Sequence, residues 1–399
     1  MEYLPFYLDI IELIIDVFAR RNDMSMLAAF SLVSRFARRI SQQHIFKVVD
    51  LQSCTDPFKQ QARSELLVDL LTRHPDLGRH VKEIRLGDCR VHHPDKKAIY
   101  SSMYDSRRAE NRLWLLSQME SGCYVSILSS LPNLRGFRFV AKHRDKLDWA
   151  NDFPESLQEA IANIMRKPDL TAFSIAGISG FPQPLLLELV QIQVLEIWDT
   201  TFVFPAPEVV GFPTSDIFLK HLVVAPASDL PDPNFDNLIY NFMQRSAETL
   251  EHVTWIMDNE HGGARTLFSL AFLVMIFLTY LSSDFVDLRF LKRLRSICLQ
   301  VTALGPQGAV PHLFRQLSQA QSNSLEYITF NVKNAGVPVF NDLDGVKDRW
   351  KVVDSILIHP SFHRLRRINI LAIDWPFVGR HAEMFHGLRE RRVEICVHT

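Results

Sequence analysis

The sequence predicts an α/β chain. A small helical module occupies residues 1–51, and a horseshoe-like solenoid of stacked helix–strand units occupies residues 52–399. Three observations carry this. A short strand pattern with apolar residues at positions one, four and six recurs from residue 81 onward. A helix-like stretch precedes each occurrence, and the first 50 residues follow a helical rhythm instead. Such units cannot bury their own apolar faces, so they stack.

The opening segment reads as three short helices. Leu8, Ile11, Ile15 and Phe18 fall at helical spacing, with Asp9, Glu12 and Asp16 on the other side. Pro5 suits a first helical turn. Asp23 is placed to cap a second helix, Ser25 to about Ser34, which holds Leu27, Ala28, Phe30 and Leu32. A third helix runs from Arg35 to His44, and Phe46 to Leu51 reads as a strand.

The recurring pattern begins in "HVKEIRL" with Val81, Ile84 and Leu86. It continues in "NLRGFRF" with Leu134, Phe137 and Phe139, and in "DLTAFSI" with Leu170, Phe173 and Ile175. Further triads start at Ile192, Leu219, Leu250, Leu294, Leu325 and Leu365. The i and i+3 residues turn the chain into the core, and the following alternation sends one more side chain inward. Helix candidates such as "ESLQEAIANIMRK" and "NLIYNFMQRSAE" stand before the triads. The irregular spacing of the triads makes the repeat degenerate, with insertions between units. Val203–Pro213, Ala225–Pro233 and Thr302–Pro311 are Pro-rich connections.

Composition narrows the function classes. Apolar residues make up 47% and charged residues 22%, as in ordinary folded proteins. A net charge of −1 argues against a nucleic-acid binder that relies on many phosphate contacts. Cys54, Cys89, Cys123, Cys298 and Cys396 form no Cys-x-x-Cys pair, so reduced thiols are expected rather than a disulfide framework or zinc site. No Asn begins a glycosylation sequon. Together these features point to the cytoplasm or the nucleus. The apolar run Leu267 to Leu281 spans roughly 22 Å as a helix, short of a membrane core of about 30 Å, so it reads as a buried helix and no membrane association is expected.

Catalytic motifs are sparse. "GISG" at Gly177–Gly180 is one residue short of a nucleophile elbow and reads as a loop after a strand. "DNEHGGAR" at Asp258–Arg265 reads as a turn and cap. His92 and His93 beside Asp95 lack an i, i+4 partner and read as solvated. Basic clusters at Arg35–Arg39, Arg135–Arg144, Arg364–Arg367 and Arg389–Arg392 read as solvated strand faces or loops, with an acidic-peptide or phosphate site as the competing reading. No catalytic residue, metal site or cofactor is expected.

The segment Leu8 to Leu51 resembles an F-box, in particular the F-box-like proteins common in mushroom-forming fungi. The resemblance rests on the acidic-apolar "DIIELIID", the "SLVSR" of Ser31–Arg35, the basic third helix, and "HIF" before a strand. "LLVDLLTRHPDLGRHVKEIRL" and "SILSSLPNLRGFRF" resemble that family's leucine-rich-repeat-like region. The family's Leu-Pro stands two residues further upstream here, as Leu4-Pro5, with Tyr7-Leu8 in its usual place.

The resemblance implies an N-terminal three-helix F-box-like module followed by a degenerate leucine-rich-repeat-like solenoid. It implies docking on the Skp adaptor of a cullin–RING ubiquitin ligase, with the solenoid holding a protein substrate. Leu8, Ile11, Ile15, Leu32, Val33 and Phe36 are then the expected adaptor-binding residues, some of which instead pack the three helices together. Two other readings stay open: a repeat scaffold that binds no adaptor, and a hydrolase using His261 or Ser179.

Overall fold

A computed structural model describes residues 4–52, 57–87, 114–141, 146–189, 191–203, 217–225, 233–255, 290–302, 309–320, 324–333, 343–372 and 384–398. It is a mixed α/β protein with extensive parallel pairing. The chain divides into two compact units, Met1–Gln191 and Ile192–Thr399. Cys54, Cys89, His92, His93, Asp95, His261, Leu267–Leu281 and most of the three Pro-rich connections lie outside the described residues. Among the described residues no helix is long and apolar enough to cross a membrane.

The first unit opens with α1 (Leu4–Arg20), α2 (Met24–Phe30) and α3 (Arg35–Ile45). Strand β1 (Val48–Asp50) follows, then α4 (Pro57–Arg73), β2 (Glu83–Gly87), α5 (Cys123–Ser129), β3 (Gly136–Val140), α6 (Glu155–Met165) and β4 (Ala172–Ala176). The strands pair in parallel in the order β1-β2-β3-β4. Because β1 lies beside β2, the three N-terminal helices and the first strands fall in the same compact unit.

In the second unit β5 (Val194–Trp198), β6 (His221–Ala225), β7 (His252–Trp255), β8 (Ser296–Thr302), β9 (Tyr327–Lys333), β10 (Arg367–Ala372) and β11 (Glu394–His398) pair in parallel in sequence order. Helices α7 (Pro233–Arg245), α8 (Ala309–Ser318), α9 (Leu343–Leu357) and α10 (His386–Glu390) intervene. Sequential parallel strands need such crossovers, since a tight hairpin cannot reverse the chain twice.

The triads supply the core. All their residues are buried except Trp255, which is half-buried. Register explains why: Ile84, Phe137 and Phe173 are cross-strand partners, as are Leu86, Phe139 and Ile175. In the second unit Leu222, Val253, Ile297, Ile328 and Ile368 form the matching row. The alternate positions Thr254, Cys298, Thr329 and Asn369 are half-exposed, as a two-residue period requires.

A repeated backbone clamp holds the register. The carbonyl of the residue just before one strand accepts two N–H groups from the next unit. Lys47 accepts from Lys82 and Glu83 at 2.9 and 3.0 Å, and Lys82 accepts from Arg135 and Gly136 at 2.7 and 2.8 Å. Gln193, Lys220, Glu251, Arg295 and Glu326 do the same in the second unit. This satisfies donors that would otherwise be left over where each connection enters the sheet.

Gly87 ends β2 with φ of +96°, and an added Cβ would run into the Val140 carbonyl oxygen. Gly87→Ala therefore combines left-handed strain with a backbone collision. It is expected to lower stability by at least about 2 kcal/mol, read as a shift in the urea midpoint.

Candidate functional site: the N-terminal helical module

The three helices have a core of their own. Ile15, Leu27, Ala37 and Ile40 are buried together, with Ile11, Phe18, Ala19, Phe30, Phe36 and Ile45 packed partly against them. The Phe18 and Phe30 rings lie 5.6 Å apart. Capping sets the helix limits. The Asp23 carboxylate accepts from the Met26 N–H at 3.1 Å and from the Ser25 hydroxyl at 2.7 Å, as an N-cap residue should. The Ser25 hydroxyl foremost, then the Met26 N–H, hold the Asp23 carboxyl below its ordinary value. That stabilisation is present above the ordinary carboxylate pKa and is lost as pH falls through the lowered one.

Helix α2 ends at Phe30, earlier than the expected Ser34. The reason is Ser34, whose extended backbone and side chain cap α3 by accepting from the Ala37 N–H at 3.1 Å. The residues between the helices form a tight turn, in which Leu32 N–H donates to Ala29 O and Val33 N–H to Phe30 O, both at 3.1 Å. Ser31 pins it further: its hydroxyl donates to Ala28 O at 2.6 Å, and its carbonyl accepts from Arg38 Nε at 3.2 Å. Ser34→Ala is expected to cost about 1 kcal/mol and to loosen this turn, read as faster amide exchange at residues 35–38.

The six expected contact residues separate into three groups. Leu32 and Val33 stand out of the turn, 78% and 69% exposed. Leu8, Ile11 and Phe36 are half-buried. Ile15 is fully buried, so it packs the module and cannot touch a partner surface. This corrects its expected role, and the cause is helix phase: the Ile11, Ile15 and Phe18 side faces α2 and α3.

The sequence reading passed over a second apolar stripe on α1. Ile10, Leu13, Ile14 and Val17 follow i, i+3, i+4, i+7 spacing and are all exposed, Leu13 by 62%. Met24 and Met26 are exposed on α2 as well. The signal lay in α1 being apolar on two sides, more than a three-helix core can absorb.

A cleft of about 520 Å³ lies between the end of α1 and the α3–β1 junction, lined among others by Asp16, Arg20, Asn22, His44 and Lys47. His44 and Asp16 approach to 3.1 Å across it. Among the described residues no group of three His, Cys, Asp or Glu side chains is arranged to hold a metal ion. Cys123, Cys298 and Cys396 are free thiols, and burial pushes Cys298 up to about 11, which makes it a poor nucleophile. Ser179 spends its hydroxyl on the Leu147 carbonyl at 3.4 Å. Its companion in the hydrolase reading, His261, is outside the described residues.

No protein-family model matches the chain, and no curated protein matches it in sequence.

Proposed function

We propose that the chain is a substrate-recognition subunit of a Skp–cullin–F-box ubiquitin ligase. The N-terminal module acts as an F-box-like adaptor-binding element. The stacked helix–strand units act as a degenerate leucine-rich-repeat-like solenoid that holds a protein substrate. The observation that carries the reading is the Leu32-Val33 tip. Two large apolar side chains are held in water by a turn fixed at both ends by helix caps. Exposed apolar surface on a small module is a sign of a partner. The outward stripe of α1 adds Ile10, Leu13, Ile14 and Val17 to the surface on offer.

The mechanism is proximity. A lysine of the bound substrate is held near a ubiquitin thioester carried by another subunit, which turns a bimolecular encounter into a local one. No side chain of this protein takes part in the bond-making step, and no cofactor is needed. The protein acts in the cytoplasm or the nucleus, where that machinery resides.

The test is co-expression of the full chain with the Skp adaptor and the cullin–RING pair, followed by affinity purification. All the subunits are expected to co-purify in equal amounts. Recovery of the chain alone, folded by circular dichroism, removes the ligase reading and leaves a scaffold.

A further inference from the structure

The residue that precedes each strand and accepts the two clamp hydrogen bonds carries a charge pattern. In the second unit it is the neutral Gln193 and then alternates in sign through Lys220, Glu251, Arg295 and Glu326; Arg366, which accepts only the Glu394 N–H, continues the alternation. In the first unit the same position is Lys47, then Lys82, then Arg135. Three cations thus stand in one row across β1, β2 and β3, about 4.8 Å apart strand to strand. The repeat geometry does not require this, since the second unit places carboxylates at the equivalent position.

The nearby carboxylates are already engaged. Glu83 binds Arg85 at 2.6 Å, Asp50 lies 3.9 Å from the same guanidinium, and Asp76 faces Arg79 at 3.8 Å. Lys47 and Arg135 are exposed, and none of the three cations has a carboxylate within 4.0 Å among the described residues. Lys82 gives one hydrogen bond, to the Arg79 carbonyl at 3.3 Å, and keeps its other protons. Next to it, burial first and then the charges of Lys82 and Arg39 hold the His80 imidazole below its ordinary pKa, against the opposing pull of Asp76. The row of three cations makes this edge locally basic, although the whole chain carries −1.

We propose that this row, Lys47–Lys82–Arg135, is a docking edge for an extended acidic peptide segment of the substrate. Lys47 and Arg135 stand two strands apart, roughly 10 Å along the edge. Carboxylates three residues apart on an extended peptide in the polyproline II conformation, with three residues per turn and a rise of about 3.1 Å per residue, lie on one side and match that span. Three cations suit a short acidic segment. A nucleic acid binding through its backbone uses on the order of 6–10 phosphate contacts. The inference rests on the reading of the chain as a substrate receptor, and it concerns residues outside the adaptor-facing tip.

The test is fluorescence anisotropy on the full chain with a labelled peptide of repeated Glu-Gly-Ser triplets. The matching Gln-Gly-Ser peptide and an oligouridylate serve as competing probes. The acidic peptide is expected to bind, to weaken with added salt, and to lose at least about tenfold in affinity in the Lys47→Gln, Lys82→Gln, Arg135→Gln triple variant. Neutralising Arg293 and Arg364 in the second unit is expected to leave binding unchanged. The substituted residues are exposed except Lys82, which is half-buried, and Arg135→Gln alone provides a milder check with a smaller loss in the same direction.

Three outcomes overturn the proposal: no binding up to about 1 mM, equal binding by the triple variant, or tighter binding of the oligouridylate. Adaptor and peptide binding measured side by side on the wild-type chain separate the two proposals. Loss of the adaptor with the peptide retained sinks the ligase reading. Failure of the peptide with the adaptor retained sinks this one.

Discussion

The Leu32→Asp, Val33→Asp double variant is expected to lose adaptor affinity by about 100-fold or more while keeping its fold. Truncating a central hot-spot side chain typically costs 2 kcal/mol or more, and a carboxylate placed against an apolar partner surface adds desolvation. Both side chains are well exposed in the free protein, so stability should move by no more than about 0.5 kcal/mol. Leu66→Asp, 66% exposed on α4, is the control and should bind like the wild type. A pull-down paired with a thermal melt reads both. Ile15→Ala gives the opposite signature, because a cavity in this small core costs about 2–5 kcal/mol and any loss of binding then follows a loss of melting temperature.

Trp350→Ala is expected to cost about 3–5 kcal/mol, the largest single-residue loss of stability in the second unit. Trp350 is fully buried in α9, edge-on to Phe330 at 5.0 Å and to Phe385 at 5.3 Å. Phe330 in turn meets Phe314, which meets Phe362, so a cluster of rings joins β9 to α8, α9 and the short turn Pro360–Phe362. Removing Trp350 leaves a void that the rings around it cannot close without breaking their own contacts. The variant should unfold at a clearly lower urea concentration. Trp350→Phe should recover most of the loss, and because the rings touch, its effect will not add to that of Phe330→Leu.

The strands were legible in the sequence because their signal is local. A triad such as Leu170, Phe173 and Ile175 fixes the inward turn and the strand phase within six residues, and the sheet only has to align them. The helices that cover the sheet carried no such fixed pattern, and Trp350 is central without any cue in its neighbours. In the N-terminal module, Asp23 was readable as a cap because a carboxylate before an apolar run has one obvious use. The end of α2 was not, since Leu32 continues the apolar run. The choice fell to Ser34, whose side chain captures the Ala37 N–H. Which side of α1 faces inward was hidden for a different reason. Ile11 and Ile15 compete with Ile10, Leu13, Ile14 and Val17, and only packing against α2 and α3 decides between them. The basic residues near Arg135 looked like a solvated strand face. Parallel register, which joins positions 47, 82 and 135, turns them into one row.

Binding of a Skp adaptor by the N-terminal module is the proposal on which the others rest. Calorimetric titration of purified adaptor into the full chain tests it most directly. One adaptor per chain is expected, with a Kd of about 1 μM or tighter and a negative heat-capacity change from burial of the Leu32-Val33 tip and its apolar neighbours. No heat of binding at several temperatures, from a chain that melts cooperatively, would contradict it.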